Sequence, residues 1–162
     1  MKKIVYFLFF SFSTPLLFAQ VAIGKANVDG SGILDFASGS TNGIILPTVS
    51  QLPTGAGATD GTILVDASNL SNVIVKLRQN NSWMEINEAR DLSTLSLNTS
   101  PDIGQGVIIG SDTSSANGVL ILESSDSALI LPKVSTVSGV KSPVVGTIVY
   151  DLASKSLAIF DG

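Results

Sequence analysis

The chain has 162 residues, with 44% apolar and only 14% charged side chains, a net charge of −4, and neither cysteine nor histidine. Without those two residue types, thiolate chemistry, histidine-activated nucleophiles and the usual His or Cys metal centres are excluded. Nine cations scattered along an acidic chain give no electrostatic footprint for nucleic acid.

In chain order, the first segment reads as an export signal spanning residues 1–19. Lys2 and Lys3 precede an apolar run from Ile4 to Phe12, Pro15 breaks it, and Ala19 suits cleavage. The run is short for a membrane span, and none later in the chain is longer. Removing it takes Tyr6, Phe7, Phe9, Phe10, Phe12 and Phe18, so only Phe36, Trp83, Tyr150 and Phe160 remain as aromatics. Net charge moves to −6, because Lys2 and Lys3 leave without any acid. An exported product is expected at the cell surface or outside the cell, with the periplasm as the alternative.

Residues 20–86 form a module that returns at 107–162, separated by a connector at 87–106. Val21-Ala22-Ile23-Gly24 matches Val107-Ile108-Ile109-Gly110, and Ile33-Leu34-Asp35-Phe36 matches Val119-Leu120-Ile121-Leu122. Ile44-Ile45-Leu46-Pro47 matches Leu129-Ile130-Leu131-Pro132, and Gly61 to Asp66 matches Gly146 to Asp151. The offset is 86 at Gly24/Gly110 and Gly32/Gly118 and 85 from the prolines onward, so one residue is lost in a single loop. Repetition of this kind points to a built or binding surface.

The predicted fold class is all-β: two homologous modules of short strands with Gly/Pro/Ser-rich loops. Apolar β-branched runs at Ile33–Phe36, Ile44–Leu46, Thr62–Val65 and Val73–Leu77 are bounded by Gly, Ser, Asn, Asp and Pro. Their continuous apolar character predicts strands buried on both faces or packed against another chain. Pro47 and Pro132 should end strands, and Gly61 and Gly146 should supply positive-φ turns before the next ones. The loops 51–60 and 136–145 could each hold a helical turn. In the connector, Glu88 to Asp91 suits a short helix, and Leu92 to Leu97 suits either a half-buried strand or a Ser/Thr linker. Module 1 closes through a turn at Asn80-Asn81 and a strand with Trp83. Module 2 reaches Leu157-Ala158-Ile159-Phe160 with no such strand after it, leaving a pairing edge.

Each module alone has marginal burial for its size and no disulfide to help, which favours repeat-to-repeat packing or oligomerisation. No cofactor is expected. Ser138 and Lys141 fit a bare Ser-x-x-Lys pattern without its companion motifs, and the stretch 55–61 lacks the ending of a phosphate loop. Asp60, Asp66, Asp112, Asp126 and Asp151 lie near turns, spaced too widely for a local calcium loop. Asp66 and Asp151, at equivalent positions, read best as turn caps. Trp83 and Tyr150 suit packing at a core or subunit interface, with glycan stacking as the alternative. Leu157, Ile159 and Phe160 complete the expected interaction set.

The order Val-x-Ile-Gly, Ile-Leu-Asp-Phe, Asn-Gly-Ile-Ile-Leu-Pro, Gly-Thr-Ile-Leu-Val-Asp and Asn-x-Ser-Trp resembles repeats of exported Bacteroidetes surface proteins. Those repeats are similar to phage tail-fibre and collar-type modules. The resemblance implies a non-enzymatic structural or adhesive fibre element, a homo-oligomer in the form of a trimer or filament, meeting surface glycans or other surface proteins. Asp126-Ser127-Ala128 resembles an O-glycosylation site of that phylum, with Ser127 as acceptor. A lone cell-surface carbohydrate-binding module is the alternative reading.

Overall fold

The computed structural model describes residues 20–94, 96, 97, 100, 104 and 106–162. The expected export signal lies outside the described residues. Among the described residues no helix is long and apolar enough to cross a membrane.

The fold is nearly all β and solenoid-like. The first repeat supplies β1 (Val21–Ile23), β2 (Gly32–Phe36), β3 (Ile44–Ile45), β4 (Thr48–Val49), β5 (Ile63–Asp66), β6 (Ile74–Gln79) and β7 (Ser82–Glu85). The second supplies β8 (Val107–Ile109), β9 (Leu120–Leu122), β10 (Ala128–Leu129), β11 (Lys133–Val134), β12 (Thr147–Asp151) and β13 (Ser156–Ile159).

The duplication is visible in strand register. Parallel β1 and β2 pair Val21 with Leu34 and Ile23 with Phe36; β8 and β9 pair Val107 with Leu120 and Ile109 with Leu122, each residue 86 further on. Parallel β4 and β5 pair Thr48 with Val65; β11 and β12 pair Lys133 with Tyr150, each 85 further on. The missing residue therefore falls in the loop after β9, against its counterpart after β2. The prolines also act alike. Neither can donate into a ladder, yet the Pro47 carbonyl accepts from Val65 N–H at 2.9 Å and the Pro132 carbonyl from Tyr150 N–H at 2.9 Å. Gly61 and Gly146 take φ of +94° and +86°, the left-handed turn expected before β5 and β12.

The two repeats are woven together instead of folding as separate sheets. β10 of the second repeat adds in parallel to β2 of the first, giving the order β1-β2-β10. β3 of the first repeat adds antiparallel to β12 of the second, pairing Ile44 with Ile148 and Ile45 with Thr147. Of the other two sheets, β4-β5-β6-β7 is built from the first repeat alone and β8-β9 from the second. A shared core follows: Leu46, Val65, Ala67, Val73 and Val75 surround Ile148 from the other repeat. The apolar runs at Ile33-Leu34, Leu64-Val65 and Val73-Val75 are buried accordingly, whereas Ile45 on β3 is exposed.

The turns follow local chemistry. Gln79 pairs with Ser82, leaving Asn80 and Asn81 as a two-residue hairpin loop with φ of 51° and 57°. Positive φ at both central positions is what a right-twisted hairpin needs, and asparagine tolerates it well. The loops expected to hold helical turns do so, as single 3-10 turns at Gly55–Ala58 and Val137–Gly139.

The connector departs from expectation. Glu88 to Asp91 forms no helix; Arg90 instead bridges antiparallel to Val73, with Arg90 N–H to Val73 O and Val73 N–H to Arg90 O both at 2.8 Å. The described part of Leu92–Leu97 is not a strand, and Ser93 and Thr94 turn. Leu92 and Leu97 pack against the shared core, so apolar burial outweighs the alternating pattern.

Candidate interaction surface

The site-bearing residues fall into three groups: an open apolar face on the second repeat, the β13 edge, and a buried charge cluster in the first repeat.

The open face is defined by comparing equivalent positions. In the first repeat Ile33 and Leu34 are 4% and 3% exposed, because β10 pairs alongside β2 and the second repeat packs over it. Their counterparts Val119 and Leu120 are 55% and 42% exposed. The side-chain chemistry is almost the same; only the covering layer differs. β9 pairs with β8 on one side and with no other strand among the described residues. Val107 and Ile108 on β8 are exposed beside it, so the apolar surface continues across both strands. An open groove of about 360 Å³ runs between Val21 of β1 and Ile108–Asp112.

The residues singled out from sequence are placed as follows. Trp83 on β7 is half-buried opposite Arg78 of β6, whose guanidinium carbon lies 5.6 Å from the indole centroid. That cation–π contact covers one face of the ring and leaves less of it for stacking a sugar. Tyr150 is half-buried in β12, directly across from Leu157 on β13. Leu157 and Phe160 are exposed, whereas Ile159 packs against the shared core. Tyr150 and Leu157 are thus together, and Trp83 is on a different sheet.

The outer edge of β13 carries no further strand among the described residues. The segment after it is held by the connector: Arg90 Nε donates to Asp161 Oδ2 at 3.1 Å, and Gly162 lies against Leu92.

Ser127 is half-buried in a serine turn; its N–H donates to Ser124 Oγ at 2.9 Å and its Oγ to Asp126 Oδ1 at 3.2 Å. The Ser138 hydroxyl is 3.3 Å from Thr136 Oγ1, while Lys141 faces a separate recess of about 280 Å³ with Asn42, Gly43 and Pro143. Among the described residues no three carboxylates gather where a cation could be held. Asp66 and Asp151 do cap turns, accepting from Ser68 and Ala153 N–H at 3.0 Å each. Burial pushes the Asp66 carboxyl up, but hydrogen bonds from Lys76, 2.8 Å away, and from Ser68 hold it below the usual range.

The buried charge cluster escaped sequence reasoning. Asp35, in the middle of β2, is fully buried and accepts from Lys25 Nζ and from Asp29 N–H, the latter at 2.7 Å. Lys25 also pairs with Asp29 at 2.8 Å. Burial pushes the Asp35 carboxyl up, and the Lys25 hydrogen bond, the Asp29 amide and the Lys25 charge together bring it below the ordinary value. Lys25 is raised, first by its hydrogen bond to Asp29 and then by that to Asp35. The counterpart of Asp35 is Ile121, so the cluster belongs to the first repeat alone. The available signal was one acid inside a run expected to be buried on both faces, which requires a cationic partner.

No protein-family model matches the chain, and no curated protein or solved structure is similar to it.

Proposed function

We propose that this chain is an exported, non-enzymatic structural or adhesive element of a cell surface or fibre, which associates with copies of itself through its β modules. The observation that carries the reading is the apolar pair Val119 and Leu120 at β9, bare where their counterparts Ile33 and Leu34 are covered, and continued by exposed Val107 and Ile108 on β8. Bare apolar edges are interaction sites or aggregation liabilities, and a strand edge adds backbone donors and acceptors to the attraction. The export pattern of residues 1–19 and the resemblance to surface-fibre repeats support the same reading. Carbohydrate binding is the second reading, weakened by the Arg78 contact on Trp83.

Light scattering on residues 20–162 tests it. The expected result is a mass that rises above the monomer with concentration and is unchanged by Trp83→Ala. A monomer at every concentration, combined with glycan binding that Trp83→Ala abolishes, would replace this reading with the carbohydrate one.

A further inference from the structure

Within the chain, the two repeats meet through a knob and a hole. Gly32 at the start of β2 has no side chain, and Ile130 fills the space: its Cδ1 lies 2.6 Å from where a Gly32 Cβ would stand. Gly32 has no positive φ, so room for Ile130, and not backbone conformation, is what glycine provides here.

Both parts of that contact have counterparts that stand empty. The counterpart of Gly32 is Gly118, again without positive φ, and a Cβ there would meet nothing closer than Ile121 Cγ1 of its own strand at 3.7 Å. The counterpart of Ile130 is Ile45, 62% exposed. An unfilled hole in the second repeat therefore goes with an unused knob in the first, beside the bare Val119 and Leu120. Resting on the self-association reading above, we propose that the Ile45 knob of a second copy seats against Gly118, its β3 adding in parallel to β9 as β10 adds to β2. The register carried over from the internal contact places Gly43 of the neighbour opposite Gly118, and its Ile44 opposite Leu120, as Ala128 faces Gly32 and Leu129 faces Leu34.

The internal contact has a second half, β3 on β12, and that half is not repeated between copies. A Cβ at Gly43 would lie 2.6 Å from Thr147 Cγ2 and 2.8 Å from the Ile148 carbonyl. Its counterpart is Ala128, whose real Cβ blocks the same approach of β10 to a neighbour's β5. The seam between copies is thus narrower than the one within the chain. It joins two different patches, so it propagates head to tail instead of closing as a symmetric dimer.

Two kinds of variant test the seam. Gly118→Leu fills the hole and Ile45→Asp places a charge on the knob; both positions are exposed, and circular dichroism checks that each variant stays folded. Each should keep residues 20–162 monomeric where the unaltered protein associates, whereas Leu157→Asp, on β13, should not. Because the chain has no cysteine, tagged Ile45→Cys mixed with untagged Val119→Cys gives a site-specific report. A short bis-maleimide should join that pair at least tenfold more than Ile45→Cys with Leu157→Cys. Association that survives both Gly118→Leu and Ile45→Asp, with no preferred cross-link, overturns the seam while leaving self-association standing. An unaltered protein that neither associates nor cross-links overturns both.

Discussion

Replacing Lys25 by Met is expected to destabilise the fold at pH 7, because it leaves the Asp35 carboxylate inside β2 without its cationic partner. The Lys25 side chain is 17% exposed and the Asp35 carboxylate 0%, so the acid has no route to water once the ammonium is gone. Asp35→Asn should cost less, because Lys25 keeps Asp29 and can reach solvent. The pH dependence follows from the direction of the Asp35 shift. A carboxyl held below its unfolded value of 3.8 contributes stability that is present above that value and is lost as pH falls through the depressed one. In Lys25→Met the burial effect is no longer outweighed, so Asp35 should titrate higher and become neutral earlier. The gap between the two proteins should therefore be widest at neutral pH and narrow toward pH 3. Urea unfolding at both pH values measures it; equal midpoints at pH 7, or a gap that does not change with pH, would contradict this role for Lys25.

Ile148→Ala should destabilise both repeats together, by about 3 kcal/mol, the usual range for truncating a buried aliphatic chain and leaving a cavity. Ile148 belongs to the second repeat, yet it sits among Leu46, Val65, Val73 and Val75 of the first. The protein carries a built-in reporter for this coupling: its only tryptophan, Trp83, lies on β7, in the sheet made wholly of first-repeat strands. The urea midpoint followed by Trp83 fluorescence should shift as far as the midpoint followed by far-UV circular dichroism. An unmoved Trp83 transition beside a shifted circular-dichroism one would mean that the repeats fold independently.

Much of this architecture is legible in the sequence, and the parts that are not share one cause. The strand runs, the positive-φ glycines before β5 and β12, the Asn80-Asn81 hairpin and the capping by Asp66 and Asp151 are all local, set by residues within a few positions. The repeat offset of 86 changing to 85 even fixes the strand register in the second repeat once the first is known. What stays hidden is which strand lies beside which. β10 on β2 and β3 on β12 join residues about a hundred positions apart, and no local pattern encodes such a pairing. The connector is misread for the same reason: Arg90 bridges to Val73 and Leu92 enters the core because of where the chain passes, against the helical and strand tendencies of the segment.

The same limit applies to the candidate site. Val119 and Leu120 look like core residues in sequence, as Ile33 and Leu34 do, and only the missing cover distinguishes them. The emphasis of the sequence on Trp83 and on the β13 residues Leu157 and Ile159 follows from their apolar character. The structure divides that set, with Ile159 turned to the core and Trp83 beneath Arg78. The open apolar face lies instead on another sheet, at β9, where the duplicated glycine Gly118 stands unfilled.

The packing of Ile130 on Gly32 has uncovered counterparts at Ile45 and Gly118, and further copies of the chain complete it. Electron microscopy of residues 20–162 at high concentration shows whether such copies join. Linear, unbranched particles of variable length are expected, and they should be absent from Gly118→Leu. Uniform monomers, or closed dimers of a single size, would contradict it.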